Sequence, residues 1–352
     1  MEDTFRLSMA REARLDSIVE TIVWKNATLC GDNVKKRYGF YYLDTPTMNK
    51  SKRSRIYKRL LLRYHKLSEV ASFPTITDIV PNSPADSSDL RIGDAIIKVD
   101  GQDVQENKRK KVVYKKGSPR RRSAKTVLFK GDTNFIPLLE LSHNMTGPVP
   151  FTIKRGDSTL VISMKSSSTC NYSASVVDNA TVNAWTDGSH IYVATGMLDF
   201  SSDDDLALVV SHEMAHCTEG HIAKKKGNML TGLILGSIAQ TVLTSDGAPW
   251  HGPQLGTEGA KAGASLYSQE FEEEADYVGM YLMARAGYST KGVENFWRRM
   301  AEFNPIKSNS FSGTHPPTSK RYLLLSKTHH EIEIKKSRGE DLLPARKGNY
   351  IQ

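Results

Sequence analysis

Apolar residues recur at helical spacing near the start of the chain. Leu15, Ile18, Val19, Ile22 and Val23 fall on one face, which predicts an amphipathic helix over residues 1 to about 30. The stretch LCGDNVKKRYGF breaks that pattern, and from about 35 to 166 the period shortens to β runs between turn residues. The fullest example is FPTITDIVPNSPADSSDLRIGDAIIKVDGQDV, Phe73 to Val104. Its NSPA predicts a short helix with Ser83 as N-cap and Pro84 in the first turn. Ala95 to Val99 then reads as a strand and Asp100–Gly101 as a tight turn. VPFTIKRGDSTLVISM reads as a hairpin around Arg155–Gly156–Asp157. From Cys170 onward the helical period returns. Asn183 to Val193, NAWTDGSHIYV, holds a turn at Asp187–Gly188 followed by a strand. Leu206 to Lys226 predicts a helix behind the acidic start SSDDD. Gln269 to Ala286 predicts another, closed by Gly287. GTHPPTSKR, Gly313 to Arg321, reads as a loop before a last helix, and no internal repeat is visible.

A chain of 352 residues accommodates two domains or one large one. The formal charge of +9 suggests nucleic acid or a membrane surface, but eleven Lys and Arg lie between Lys108 and Lys130 with no acid among them. Removing those eleven from +9 leaves −2, so the basic character belongs to one segment and no specific nucleic-acid partner is expected. The first residues, MEDTFRLSMAREARLDSIV, are charged throughout and do not read as a signal peptide, so the chain is either cytoplasmic or trimmed. Met229 to Leu243 is the longest apolar run. It is shorter than the roughly 20 residues a bilayer requires, so a buried or membrane-touching helix is expected. Of three cysteines, Cys30 and Cys170 could pair, or both could be buried thiols.

The chemistry concentrates in SHEMAHCTEGH, residues 211–221. His212 and His216 are four apart, about 400° round a helix, so both imidazoles leave one face. Glu213 follows about 100° round, near enough to reach a water on a shared cation. This is the H-E-x-x-H pattern of zinc peptidases, and the apolar LALVV before it places the group in the interior. Buried polar groups need partners, and a metal supplies one. On an unbroken helix His221 falls on the opposite side, Glu219 lies two turns along, and Cys217 points off the axis; none of the three is expected to be a ligand. A third ligand must come from elsewhere. In SQEFEEEADYVGMYLMARAGY, Glu272 has an acid, Asp276, at i+4. Asp276 can accept a hydrogen bond from the far nitrogen of His212 and fix its tautomer.

H-E-x-x-H followed by E-x-x-x-D looks like the gluzincin arrangement. NAWTDGSHIYVATGML, LALVVSHEMAHCTEGHI, FEEEADYVGMYLMARAGY and THPPTSKR together resemble metallopeptidase family 48, the family that includes HtpX and the CAAX prenyl protease. The resemblance covers about 175–330 and is closest to soluble envelope members. It implies one zinc ion per chain on His212, His216 and Glu272, with Glu213 as general base and acid. Asn183, Ala184 and Trp185 would begin an edge strand that pairs with the substrate backbone. Arg321 would stabilise the oxyanion. His315 would share in catalysis or reach the metal as a latch. Upstream, the SPA…L…GD.I…V.G series resembles a bacterial-type PDZ domain. That resemblance implies capture of a peptide C-terminus at RYGFYY, with Gly39 and Phe40 at the loop; the same stretch also reads as a strand with a glycine bulge.

The fold expected is therefore α+β: a mainly helical, minigluzincin-type peptidase domain with a small edge sheet, preceded by a β-rich PDZ-like domain. The boundaries read as a helical segment at 1–34, the PDZ-like domain at 35–168 with a basic insertion at 105–130, the peptidase domain at 169–340 and a tail at 341–352. The function expected is zinc-dependent endopeptidase action on misfolded or C-terminally recognised proteins, in periplasm or envelope by resemblance. Peripheral membrane contact is a further expectation. The alternative is a latent or non-proteolytic PDZ-type binding protein with a structural zinc site.

Overall fold

A computed structural model describes residues 2–43, 73–104, 135–243, 254–258, 261, 268–303 and 319–345. The basic segment 105–130 and His315 lie outside the described residues. In chain order the elements are helix α1 (Glu2–Lys25), strands β1 (Val34–Arg37), β2 (Phe40–Leu43), β3 (Thr75–Ile79), β4 (Ala95–Val99) and β5 (Gln102–Asp103), helix α2 (Phe135–His143), and strands β6 (Val149–Arg155), β7 (Ser158–Met164), β8 (Ser167–Cys170), β9 (Ser173–Val177), β10 (Ala184–Thr186) and β11 (His190–Ala194). The remainder is helical: α3 (Thr195–Phe200), α4 (Asp203–Thr218), α5 (His221–Leu243), α6 (Ser268–Arg285), α7 (Val293–Phe303) and α8 (Ser319–Ser337). The chain divides into two compact units: Met1–Ser8 with Lys35–Ser168, and Met9–Val34 with Thr169–Gln352.

The first unit is a β-rich sheet in the order β2-β3-β4-β6-β7, with β5 paired to β4. Its core gathers Tyr38, Ile76, Ile96, Val99, Phe151 and Ile153, and along β6 the buried Val149, Phe151 and Ile153 alternate with more exposed positions. Where a short helix was expected after Ser83, the chain makes hydrogen-bonded turns instead. Ser83 still caps them, its Oγ accepting from the Asp86 N–H at 3.2 Å. The sequence beyond Pro84 is Asp- and Ser-rich, with no apolar stripe to extend a helix. Gly39 sits at φ +84°, and its carbonyl accepts from Val80 N–H and Ser83 Oγ–H. β2 lies at the end of the sheet, paired only with β3 among the described residues.

The second unit is mainly helical, with a three-stranded sheet in the order β10-β11-β9. Its core draws Leu15, Ile18, Val19 and Ile22 from α1 together with the apolar residues of α4, α6 and α7. From Met9 on, the N-terminal helix is thus part of this unit and not a separate segment. Arg14 anchors it by donating to the carbonyls of Leu198 and Ser201, both at 2.6 Å. Cys30 and Cys170 form a disulfide inside this unit, resolving the two options left open by the sequence. On α5, Leu230, Ile234 and Leu235 are exposed. No helix among the described residues is long and apolar enough to cross a membrane.

Candidate metal centre

Helix α4 begins with a capping box: Ser202 Oγ accepts from Asp205 N–H, and the Asp205 carboxylate accepts from Ser202 N–H. The apolar run Leu206–Val210 then buries completely and carries the polar group with it: His212, Glu213 and His216 are each no more than 5% exposed. Helix α6 lies against this turn. Gly279 is what admits it, since a Cβ at that position would stand 3.0 Å from His212 N and 3.1 Å from its Cα. One and two turns before Gly279, Asp276 and Glu272 meet the histidines. His212 Nε2 is 3.3 Å from Glu272 Oε2, and His216 Nε2 is 3.4 Å from Oε1. The two Nε2 atoms are 3.1 Å apart. His212, His216 and Glu272 are the group of three that could hold a metal among the described residues, all buried.

The rear nitrogens decide what this cluster needs. His212 Nδ1 is 3.0 Å from Asp276 Oδ1. An ionised carboxylate only accepts, so this contact favours the tautomer with the proton on Nδ1 and the lone pair on Nε2. His216 likewise turns Nδ1 away, 2.9 Å from His221 Nδ1. Two imidazole lone pairs and a carboxylate then converge in a buried space. That arrangement repels itself unless a cation lies between the atoms, and two nitrogens with one oxygen suit zinc. The carboxylates favour positive charge at this place. Burial disfavours charge on His212, but the Asp276 and Glu272 carboxylates outweigh it and raise its pKa. Burial would raise the Asp276 carboxyl, yet the Arg321 guanidinium holds it below the ordinary range.

Arg321 is 3% exposed. It donates through Nε and Nη2 to both Asp276 oxygens, at 2.7 and 2.8 Å, and its Nη1 lies 3.4 Å from Glu272 Oε2. Its guanidinium also stacks 5.0 Å from the Trp297 ring, which packs edge-on against His212. The structure therefore puts Arg321 behind the ligands, engaged with Asp276. Asn183, Ala184 and Trp185 stand at and before β10, which pairs antiparallel with β11 through Ala184–Val193 and Trp185–Tyr192. β10 has this one strand neighbour among the described residues. Gly39 and Phe40 belong to the first unit.

One expectation is corrected. His221 does not face away from the site, because the helix predicted over 206–226 is two helices. Gly220 at φ +68° ends α4, and α5 starts at His221. The turn swings His221 back against His216, with its other nitrogen 3.0 Å from Glu274 Oε2. Cys217 contacts Thr186 Oγ1 at 3.0 Å, and burial pushes its thiol up to about 11, which leaves it neutral. Four participants were not assigned to the site from the sequence: His221, Glu274, Gly279 and Trp297. Gly220 was the visible signal for the first pair, and the alternation of Phe296, Trp297 and Met300 with charged residues in α7 was the signal for the last.

Comparison with known proteins bears on this geometry. The mitochondrial metalloendopeptidase OMA1 of Schizosaccharomyces pombe is 29% identical over 181 residues, covering 50% of this chain and 52% of that protein. The metalloprotease LoiP of Escherichia coli is 29% identical over 164 residues, 43% of this chain and 59% of that protein. The beta-barrel assembly-enhancing protease of Yersinia pestis is 28% identical, covering 36% and 28%. The chain thus spans about half the length of the first two. A solved HtrA3 PDZ domain bound to a phage-derived ligand covers 38% of the chain at 18% identity and a TM-score of 0.22, too low to carry an argument. The PDZ domain profile matches residues 63–119, and that of peptidase family M48 matches residues 153–329. That second match runs through half of the sequence and takes in both histidines, Glu272 and Arg321: beside its PDZ domain, the chain belongs to peptidase family M48.

Proposed function

We propose that this chain is a zinc-dependent endopeptidase. The observation that carries the reading is the buried convergence of His212, His216 and Glu272, whose Nε2 atoms and carboxylate oxygens lie 3.1–3.4 Å apart, close enough to share one ion. A zinc ion held there would supply a Lewis acid and lower the pKa of a bound water toward neutrality. The protein supplies the rest. Glu213, next to His212 and buried in the same turn, takes the proton of the attacking water and returns it to the leaving amine. Asp276 holds His212 in the tautomer that presents Nε2, and Arg321 holds Asp276. With Arg321 so engaged, we assign it to positioning rather than to the oxyanion. Asn183, Ala184 and Trp185 offer a strand edge for the substrate backbone. Gly39 and Phe40 stand at β2, the end strand of its sheet among the described residues, and we assign the peptide C-terminus to that place.

Misfolded or C-terminally recognised proteins are the substrate class that joins these two edges in one chain. A disulfide persists in oxidising compartments, which supports an envelope or periplasmic setting. Lys224, Lys225 and Lys226 precede the exposed Leu230, Ile234 and Leu235 on α5, a combination suited to peripheral contact with an anionic membrane. The test is casein hydrolysis with and without a chelator, beside Glu213→Gln. Chelation should abolish cleavage and zinc restore it. Glu213→Gln should keep its zinc and lose a factor of about 10²–10⁴ in rate. Cleavage that survives both treatments would end the reading, and a wild-type protein that binds zinc without cleaving would replace it with a zinc-bearing binding protein.

A further inference from the structure

We infer that His221 is a positioning residue of the metal centre, fixing His216 from behind in partnership with Glu274. The inference rests on the zinc reading of His212, His216 and Glu272 and extends it to a second chain of contacts. His216 turns Nε2 toward the other donors, so its Nδ1 must be protonated. The atom that faces Nδ1, at 2.9 Å, is His221 Nδ1. It accepts that hydrogen only if His221 carries its own proton on Nε2, and Nε2 is 3.0 Å from Glu274 Oε2. One assignment satisfies every atom: His216 Nδ1–H to His221 Nδ1, then His221 Nε2–H to the Glu274 carboxylate. This mirrors the other ligand, where His212 Nδ1 faces Asp276 and Arg321 backs the carboxylate.

The fold is shaped to make this contact. On an unbroken helix His221 would point away; Gly220 in a left-handed conformation returns it. His221 is 2% exposed, its ring stacked on Phe271 at 4.5 Å with planes 13° apart. The ring could therefore serve packing alone, and a test has to separate ring from nitrogen.

Two substitutions do so. His221→Phe keeps a flat ring against Phe271 and removes both nitrogens. His221→Asn removes the ring and keeps an acceptor at the δ position. Zinc affinity is measured on the full chain by competition with a chromophoric chelator, and the site geometry by the visible spectrum of the cobalt-substituted protein. His221→Phe should lose about 10–100-fold in zinc affinity with an altered cobalt spectrum, and His221→Asn should recover much of it. The reverse order, with His221→Phe binding as the wild type and His221→Asn weakened, would overturn the inference and leave a packing residue. Should His221→Phe fail to fold by circular dichroism, Glu274→Leu removes the far end of the same chain at a partly exposed position. It should weaken zinc at least threefold, and unchanged affinity would equally overturn the inference. A wild-type chain that holds no stoichiometric zinc is a separate result. It would remove the metal reading itself.

Discussion

Gly279→Ala tests the packing that assembles the centre. The added Cβ would lie 3.0 Å from His212 N, 3.1 Å from His212 Cα and 3.2 Å from Ser211 C. Ordinary contact starts near 3.4 Å, so α4 and α6 must part by a few tenths of an ångström. The atoms in the way are backbone of a fully buried turn, and no side chain can rotate aside. Overpacking of this kind costs about 1–3 kcal/mol. Alanine in place of a helical glycine returns about 0.5–1 kcal/mol. The net is a loss of about 0–2.5 kcal/mol, or up to roughly 10 °C in Tm for a unit of this size. The same displacement pulls Glu272 and Asp276 from the histidines, since they share α6 with Gly279. Zinc affinity should therefore fall by more than the stability change alone predicts. Thermal melts of the metal-free protein and chelator competition read the two effects separately. A variant that is more stable than the wild type and binds zinc equally well would refute the reasoning.

Arg321→Ala leaves the Asp276 carboxylate buried without its bidentate partner, and the metal-free protein should lose about 3–5 kcal/mol in urea titration. A loss under 1 kcal/mol would mean that water replaces the guanidinium. Changing Cys30 and Cys170 to serine opens a loop of 140 residues and should lower stability by about 2–5 kcal/mol; thiol titration of the unreduced wild type should find Cys217 alone. Gly39→Val forces a β-branched residue to φ +84°, costing about 1–3 kcal/mol locally. It should weaken binding of a fluorescent C-terminal peptide while leaving casein cleavage by the second unit in place.

The histidine helix was legible because its information is local: an apolar run, an acidic start and a four-residue spacing that a helix converts into one face. Glu272 was legible from its own i+4 partner, Asp276. What escaped depends on contacts made across distance in the chain. Gly220 sits near the end of a helical pattern, where sequence alone cannot tell a tolerated glycine from a left-handed stop. His221 was read on a helix that in fact ends before it, and so was placed on the wrong side. Gly279 carries no signal at all until the neighbour it admits is known. Arg321 was read as facing substrate because nothing in its own segment names Asp276, forty-five residues earlier, as its partner. The NSPA turn shows the opposite failure: capping was read correctly at Ser83, but a cap without an apolar stripe behind it does not make a helix.

The arrangement of α1 has a bearing on how the chain is made. From Met9 on it belongs to the second unit, while the larger part of the first, Lys35 to Ser168, intervenes in the sequence. During synthesis α1 leaves the ribosome with Leu15, Ile18 and Ile22 bare, and the residues that cover them follow more than a hundred positions later. At the usual pace of elongation that interval is roughly 10–30 s. The intervening unit can fold in that time and bring its two ends together, which shortens the search when α4 and α6 arrive. The Cys30–Cys170 bond brackets that insertion, so it ties the end of the N-terminal segment to the chain that follows the first unit.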